Sequence, residues 1–246
     1  MKKATAIIQA RLGSTRLPDK TLIKIGDKTL IERVIDRITR SKSIKQMVLA
    51  TTQLKEDDRL INFIQQKYPK LKIYRGDSTD VVGRFQKTAD LFSADPIVRI
   101  TGDDPFKDPE IIDHLLAIFS QGSYDYVSNT IKHTFPEGLD IEIFSLAALK
   151  KANREGRTPK DREHVTYYIW NHPEFFRLKN IVSDKDYSSI RLTVDYAQDL
   201  KLAQKIYNYF YPRTDFSYQE IIKLLKIKPE LSKLNQHIKK YESLKK

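Results

Sequence analysis

The chain has 246 residues, 44 Lys and Arg against 32 Asp and Glu, a formal net charge of +12 and no cysteine. That length can bury a substantial core; the lack of cysteine excludes disulfides and thiolate metal sites, and no apolar run approaches signal-peptide or membrane-spanning length. A soluble, cytoplasmic protein is expected; much of the positive balance is scattered lysine on a solvated surface, and the lack of an arginine-rich block or a basic–aromatic stripe weakens a nucleic-acid reading without excluding it.

In chain order, the apolar run Ala6 to Ile8 predicts a buried strand feeding a basic, hydroxyl-rich loop with Arg11, Gly13, Ser14, Arg16 and Lys20. Backbone N–H groups, hydroxyls and fixed positive charges at a strand end suit a polyphosphate. The same residues also make an ordinary charged surface turn, and neither the Walker A nor the Gly-x-Gly-x-x-Gly pattern is present. Leu30, Ile31, Val34, Ile35 and Ile38 then predict an amphipathic helix with Arg33, Asp36 and Arg37 outward and Gly26-Asp27 as its turn and N-cap. Strands follow at 46–51, 72–75 and 96–100, each succeeded by a helix, at 57–68, 81–92 and 110–119. Short buried strands alternating with helices imply a mostly parallel sheet covered on both faces, with ligands beyond the carboxyl ends of the strands.

From Tyr124 the rhythm changes. Strands are expected at 124–129, 139–144, 175–182 and 189–194, a helix capped by Ser145, a mobile loop at 154–161, a helix at 162–171 and closing helices at 198–211 and 217–226. The expected organisation is one domain over 1–246, with 124–188 as an inserted lid or dimerisation lobe and 227–246 as a basic tail. The aromatic residues Tyr167, Tyr168, Trp170, Phe175 and Phe176 read as core or subunit interface.

Asp103 and Asp104 follow a strand and Gly102, a placement suited to Mg²⁺, which takes a few carboxylates with phosphate and water oxygens. Gly-Asp-Asp-Pro can equally be a turn, although Asp108 before Pro109 is the better helix cap. Asp195 closes the 189–194 segment and reads as a cap or as a second metal ligand, whereas Asp199 reads as a helix-start residue. His133, His172 and His237 lack metal-ligand spacing, and His164 before an aromatic helix reads as structural. Ser14 and Ser128 have no triad neighbourhood.

Taken in order, several stretches resemble one known family. They are Ile-Gln-Ala-Arg-Leu-Gly-Ser-Thr-Arg-Leu-Pro-Asp-Lys (8–20), Val-Leu-Ala-Thr-Thr (48–52), Asp-Val-Val-Gly-Arg-Phe (80–85) and Arg-Ile-Thr-Gly-Asp-Asp-Pro (99–105). Pro-Glu-Gly-Leu-Asp-Ile-Glu-Ile-Phe (136–144), Arg-Glu-His-Val-Thr (162–166), Leu-Thr-Val-Asp (192–195) and Pro-Glu-Leu-Ser-Lys-Leu-Asn-Gln-His (229–237) complete the set. The family is that of cytidylyltransferases activating acidic sugars such as 3-deoxy-manno-octulosonate and acylneuraminate, and the likeness is greatest to the spore-coat polysaccharide branch.

The resemblance implies a three-layer α/β nucleotidyltransferase, Rossmann-like and of the nucleotide-diphospho-sugar transferase type, with a mostly parallel central sheet and a small inserted lobe. It implies nucleotide contacts from Ala10, Arg11, Gly13, Ser14, Arg16, Lys20, Thr51 and Gly102, with Arg11, Lys20, Asp103 and Asp195 catalytic. Asp103 and Asp195 would hold Mg²⁺, and Asp104, Glu137, Asp140, Glu142 and His164 would face the acceptor. The implied partners are CTP, an acidic sugar and a second copy of the chain, with no nucleic acid or membrane. One departure bears on the acceptor: the octulosonate enzymes carry Ser-Gly-Thr-Asp-Arg where this chain has Gly-Asp-Ser-Thr-Asp-Val-Val-Gly-Arg (76–84), so their sugar does not transfer. Two other readings are a nucleotide-sugar-dependent glycosyltransferase of the same fold, which does not need the pyrophosphate grip, and a non-catalytic basic module binding nucleic acid or a protein.

Overall fold

A computed structural model describes residues 4–239. In chain order the elements are β1 Ala4–Gln9, β2 Lys24–Ile25, β3 Lys28–Thr29, α1 Leu30–Ile38, β4 Ile44–Thr52, α2 Asp58–Lys67, β5 Lys72–Gly76, α3 Val81–Leu91, β6 Ile97–Thr101 and α4 Pro109–Ser120. They continue with β7 Tyr126–Ser128, β8 Glu142–Phe144, α5 Leu146–Glu155, α6 Pro159–Glu163, α7 Tyr167–Asn171, β9 Leu178–Asn180, α8 Ala197–Phe210, α9 Tyr218–Ile227 and α10 Pro229–Ser232.

The period of two in the strands builds two cores. Ile8, Leu49, Val98, Val127 and Ile143 point into one apolar layer, while their neighbours Ile7, Ala50, Ile97, Tyr126 and Phe144 point into the other. The first layer is covered by the apolar faces of α1, α4, α8 and α9, through residues such as Val34, Leu115, Ile206 and Ile221. The second is covered by α3 and α5, through Phe85 and Leu149. Each such fully buried side chain contributes about 1.5–3 kcal/mol over its exposed state. The result is the three-layer α/β arrangement expected from the alternation.

The central sheet has seven strands in the order β5-β4-β1-β6-β8-β7-β9. The pairs β4–β5, β1–β4, β1–β6 and β7–β9 are parallel, and β8 runs antiparallel to both its neighbours. This one reversed strand has a functional consequence. It brings the start of β8 to the same rim as the carboxyl ends of β1, β5 and β6, so that Arg99 and Glu142 stand opposite each other in the β6–β8 register. The segment 124–188 thus adds three strands to the main sheet. Among the described residues no helix is long and apolar enough to cross a membrane.

The structure corrects several local expectations. Gly26 (φ +68°) and Asp27 form the turn between β2 and β3, and the N-cap of α1 is Thr29, in a reciprocal capping box with Glu32. Arg33 and Arg37, expected on the outer face of α1, are buried. Arg33 donates to the Ile25 carbonyl, and Arg37 donates to the carbonyls of Lys107 and Phe216, at 2.6 and 3.0 Å for Arg37. The stretch expected as a mobile loop, 154–161, instead ends α5 and starts α6, where Thr158 and Asp161 form a second capping box. The single helix expected over 162–171 is two short ones, α6 and α7, separated by His164, Val165 and Thr166. Residues 189–194 form no strand; a lone parallel bridge joins Arg191 to Glu137. Asp108 and Ser145 do cap α4 and α5. Of the basic tail, 227–239 includes α10, and 240–246 lie outside the described residues.

Candidate functional site

A cavity of about 850 Å³ opens at the rim where β1, β5, β6 and β7 end and β8 begins. The loop after β1 forms one wall. Its path is fixed by Asp57, wholly buried, which accepts from the Leu12 N–H at 2.7 Å and also bonds the Thr52 hydroxyl. Thr21 adds a hydrogen bond to the Arg11 carbonyl at 2.9 Å. Arg11 and Arg16 thereby face the cavity.

Lys20 is the centre of the site. Its buried ammonium donates to Asp103 Oδ2 at 2.9 Å and to Asp195 Oδ1 at 2.6 Å, and Arg16 joins Asp195 Oδ1 at 2.7 Å. Three segments far apart in sequence therefore meet at one point. Burial alone would lower the lysine's pKa, but the two carboxylates outweigh it and raise it, while Lys20 in turn holds Asp103 below the usual carboxylate range against its own desolvation.

Asp195 is held from behind by Arg191, a buried guanidinium that also pairs with Glu137 at 2.8 Å and Asp199 at 3.0 Å. Asp195 thus keeps Oδ1 toward Lys20 while Oδ2 is engaged by Arg191 at 3.1 Å. Asn235, beyond α10, donates to the Arg191 carbonyl and to Asp199, locking the C-terminal segment onto the same cluster. The Val194 N–H donates to the Asp103 carbonyl at 2.9 Å, which fixes the spacing of the two aspartate-bearing segments.

Next to Asp103, Asp104 pairs with buried Lys107 at 2.8 Å, and burial pushes its carboxyl up, with the Asp103 charge adding and Lys107 opposing. Glu142 is desolvated, yet Arg99, Thr166 and Tyr126 bind it closely enough to hold it below the usual range. His164 lines the same wall and burial lowers its pKa, which keeps it neutral at pH 7. Asp140 also lines the cavity, its carboxyl pushed up to about 7 by burial.

Of the residues singled out in the sequence, Arg11, Arg16, Asp103, Asp104, Glu137, Asp140, Glu142, His164 and Asp195 line this cavity, with Lys20 bonded into it. The others stand behind the surface. Ala10 is buried beneath the loop, and Gly102 packs on it so tightly that an added Cβ would sit 2.7 Å from the Ala10 Cβ. Gly13 abuts the Glu56 side chain, and the Ser14 hydroxyl accepts from the Leu17 N–H at 3.4 Å. Thr51 is fully buried within β4, its hydroxyl without a hydrogen-bond partner among the described residues.

Sequence reasoning missed Asp57, Arg84, Arg99, Lys107, Arg162 and Arg191. Arg84, Arg99 and Arg162 line the cavity, Arg162 tied to Asp80 at the start of α3. Arg84 and Arg99 lie inside stretches of family likeness, a signal that could have found them. Arg191 stands immediately before another such stretch, Leu-Thr-Val-Asp.

A mostly parallel α/β sheet whose rim carries a basic loop facing paired carboxylates fits a nucleotidyltransferase fold. The cytidylyltransferase family matches residues 5–245, and the chain belongs to that family. It is 34% identical over 234 residues to the spore coat polysaccharide biosynthesis protein SpsF of Bacillus subtilis, covering 91% of this chain and 94% of that one. It is 33% identical over 240 residues to an uncharacterised protein of Methanocaldococcus jannaschii, covering 96% of each. A solved cytidylyltransferase from Leptospira borgpetersenii superimposes with a TM-score of 0.89 at 32% identity, covering 98% of this chain and 99% of that one.

Proposed function

We propose that the protein transfers CMP from CTP to a hydroxyl of an acidic sugar, with release of pyrophosphate, for a surface polysaccharide. The observation that carries this reading is the convergence of Lys20 and Arg16 on Asp103 and Asp195 at the cavity wall of a cytidylyltransferase-family chain. The likeness to a spore coat polysaccharide biosynthesis protein of Bacillus subtilis supports the polysaccharide setting.

In this mechanism Arg11, Arg16 and Lys20 bind the triphosphate, and Lys20 and Arg16 neutralise the charge that builds on the departing pyrophosphate. Catalysis rests on positioning and electrostatic stabilisation, as in phosphoryl transfer generally. The donor set fits Mg²⁺: Asp103 and Asp195 present carboxylate oxygens to a single cationic nitrogen, and this hard cation takes one or two carboxylates with phosphate and water oxygens. Held by these two residues, Mg²⁺ would supply Lewis-acid neutralisation of the phosphates. The acceptor lies along Asp104, Glu137, Asp140, Glu142 and His164, and Arg84, which lines the same cavity, offers positive charge to a sugar carboxylate. A homodimer is part of the proposal, supported by the exposed apolar side chains of Ile131, Phe175 and Val182 on the 124–188 stretch; light scattering giving the mass of one chain would remove it.

The test is pyrophosphate release from each of the four NTPs with Mg²⁺ over a panel of acidic sugars. CTP alone is expected to be consumed, and only with an acceptor. Failure of the protein to consume any NTP with any acceptor of the panel, whether or not an NTP binds, overturns the proposal.

A further inference from the structure

Seven carboxylates besides the exposed Glu163 line the cavity, and six of them are already engaged. Asp103 and Asp195 are held by Lys20, Glu137 by Arg191, Glu142 by Arg99, Asp104 by Lys107 and Asp80 by Arg162. Asp140 differs. Among the described residues, no hydrogen bond or ion pair engages its carboxylate; its backbone carbonyl, not its side chain, accepts from Lys107.

The backbone around Asp140 is fixed against the segments that carry Asp103 and Asp195. Leu192 N–H donates to the Glu137 carbonyl at 2.8 Å and Glu137 N–H to the Ile190 carbonyl at 3.0 Å, while Asn129 clamps the other side through the Leu139 carbonyl and the Ile141 N–H. Gly138, at φ +99°, lies so close to the Thr193 backbone that an added Cβ would stand 2.6 Å from its nitrogen. The side chain is therefore a free carboxylate on a rigid mount, facing the same cavity as the two aspartates proposed to hold the metal.

We propose that Asp140 is the general base of the transfer, an inference that rests on the cytidylyltransferase reading above. The acceptor hydroxyl gives its proton to the Asp140 carboxylate as its oxygen forms the new bond to the α-phosphorus of CTP. The bond from that phosphorus to the oxygen bridging to the β-phosphate breaks, and its electron pair leaves on pyrophosphate. The engaged carboxylates cannot take this role without giving up a cationic partner. His133 and His164, the ring bases on the wall, are both shifted down by burial and so are weaker acceptors than an ordinary histidine.

Burial pushes the Asp140 carboxyl up to about 7, the charges of Asp104, Glu142 and Glu137 adding and that of Lys107 opposing. A base of that pKa combines a useful deprotonated fraction at neutral pH with real proton affinity.

The experiment compares wild type, Asp140→Asn and Asp140→Glu, using CTP, Mg²⁺ and whichever panel sugar supports transfer, with kcat and KM for the sugar measured from about pH 5 to pH 9 and CTP binding measured by calorimetry. The wild-type rate is expected to fall on the acid side with a midpoint near 7. Asp140→Asn should lose at least about 100-fold in kcat and lose that limb, with CTP affinity unchanged, and Asp140→Glu should recover part of the rate. An Asp140→Asn enzyme that keeps kcat and the acid limb, or changes only the KM for the sugar, overturns the assignment. If wild type binds CTP but no sugar supports transfer, the cytidylyltransferase reading itself fails and the base assignment falls with it.

Discussion

Lys20 and Asp195 form a buried ion pair of 2.6 Å, and the same ammonium reaches Asp103 at 2.9 Å, so that one cation holds two carboxylates together. Because the folded-state pKa of Lys20 is raised, the stability it contributes is fully present below the ordinary lysine pKa and is lost as pH rises through the elevated folded value. Removing one partner of a buried pair costs about 3–5 kcal/mol, and the partial exposure of Asp103 places Lys20→Met at about 2–3 kcal/mol. Urea unfolding at neutral pH measures this, and Mg²⁺ should raise the midpoint of the variant more than that of wild type. An unchanged midpoint without Mg²⁺ would show that the pair carries no stability.

Arg191 is held by three carboxylates, Glu137, Asp195 and Asp199, and is almost wholly buried. Arg191→Met takes the guanidinium away from buried Glu137 and Asp199, leaving Asp195 to Lys20 and Arg16, and should cost about 3–5 kcal/mol. Arg191→Lys should restore only part of the loss, because an ammonium cannot reproduce the planar fork. Denaturant midpoints within error of wild type for both variants would remove Arg191 as the support of Asp195.

Stability should also report Asp140. Its folded-state pKa lies above the unfolded value, so the folded chain holds the proton more tightly, and stability falls as pH rises from the ordinary carboxylate range to about 7. Asp140→Asn removes this term. Relative to wild type the variant should gain about 1–2 kcal/mol between about pH 5 and pH 8, allowing for the opening of the side chain to the cavity. A constant difference across that range would mean that the carboxyl titrates with an ordinary pKa.

Arg37 ties α1 to Lys107 and to the segment before α9, donating to two carbonyls and lying over the Phe216 ring at 5.1 Å from its centroid. Arg37→Ala should cost at least about 2 kcal/mol, since hydrogen bonds from a buried charge are the strong ones and both carbonyls lose their partner. A thermal midpoint matching wild type would contradict this.

Arg37 also shows where sequence reading stops. The period of Leu30, Ile31, Val34, Ile35 and Ile38 locates α1 correctly, but it assigns charged side chains to solvent, and nothing local reveals that two distant carbonyls await a guanidinium. The four strand–helix units up to α4 and the caps at Asp108 and Ser145 are legible because period and capping chemistry are local. Residues 189–194 have the alternation of a strand, with Leu192 and Val194 buried, yet their N–H groups are taken by Glu137 and Asp103, so no ladder forms. In the site, the loop at 11–20 and the two aspartates stand out because charge clusters there. Arg191 and Lys107 are single basic residues in mixed sequence, and their importance arises only when the fold buries each beside a carboxylate.

The central claim is that CMP passes from CTP to a sugar hydroxyl, and the ³¹P spectrum of the reaction tests it most directly. With CTP, Mg²⁺ and the accepted sugar, the triphosphate resonances should give way to pyrophosphate and one phosphodiester resonance carrying the sugar, in equal amounts. Asp103→Asn should leave the CTP spectrum unchanged. Release of free CMP or CDP from a nucleotide sugar, with CTP untouched under every condition, would contradict the account and assign the fold to glycosyl transfer.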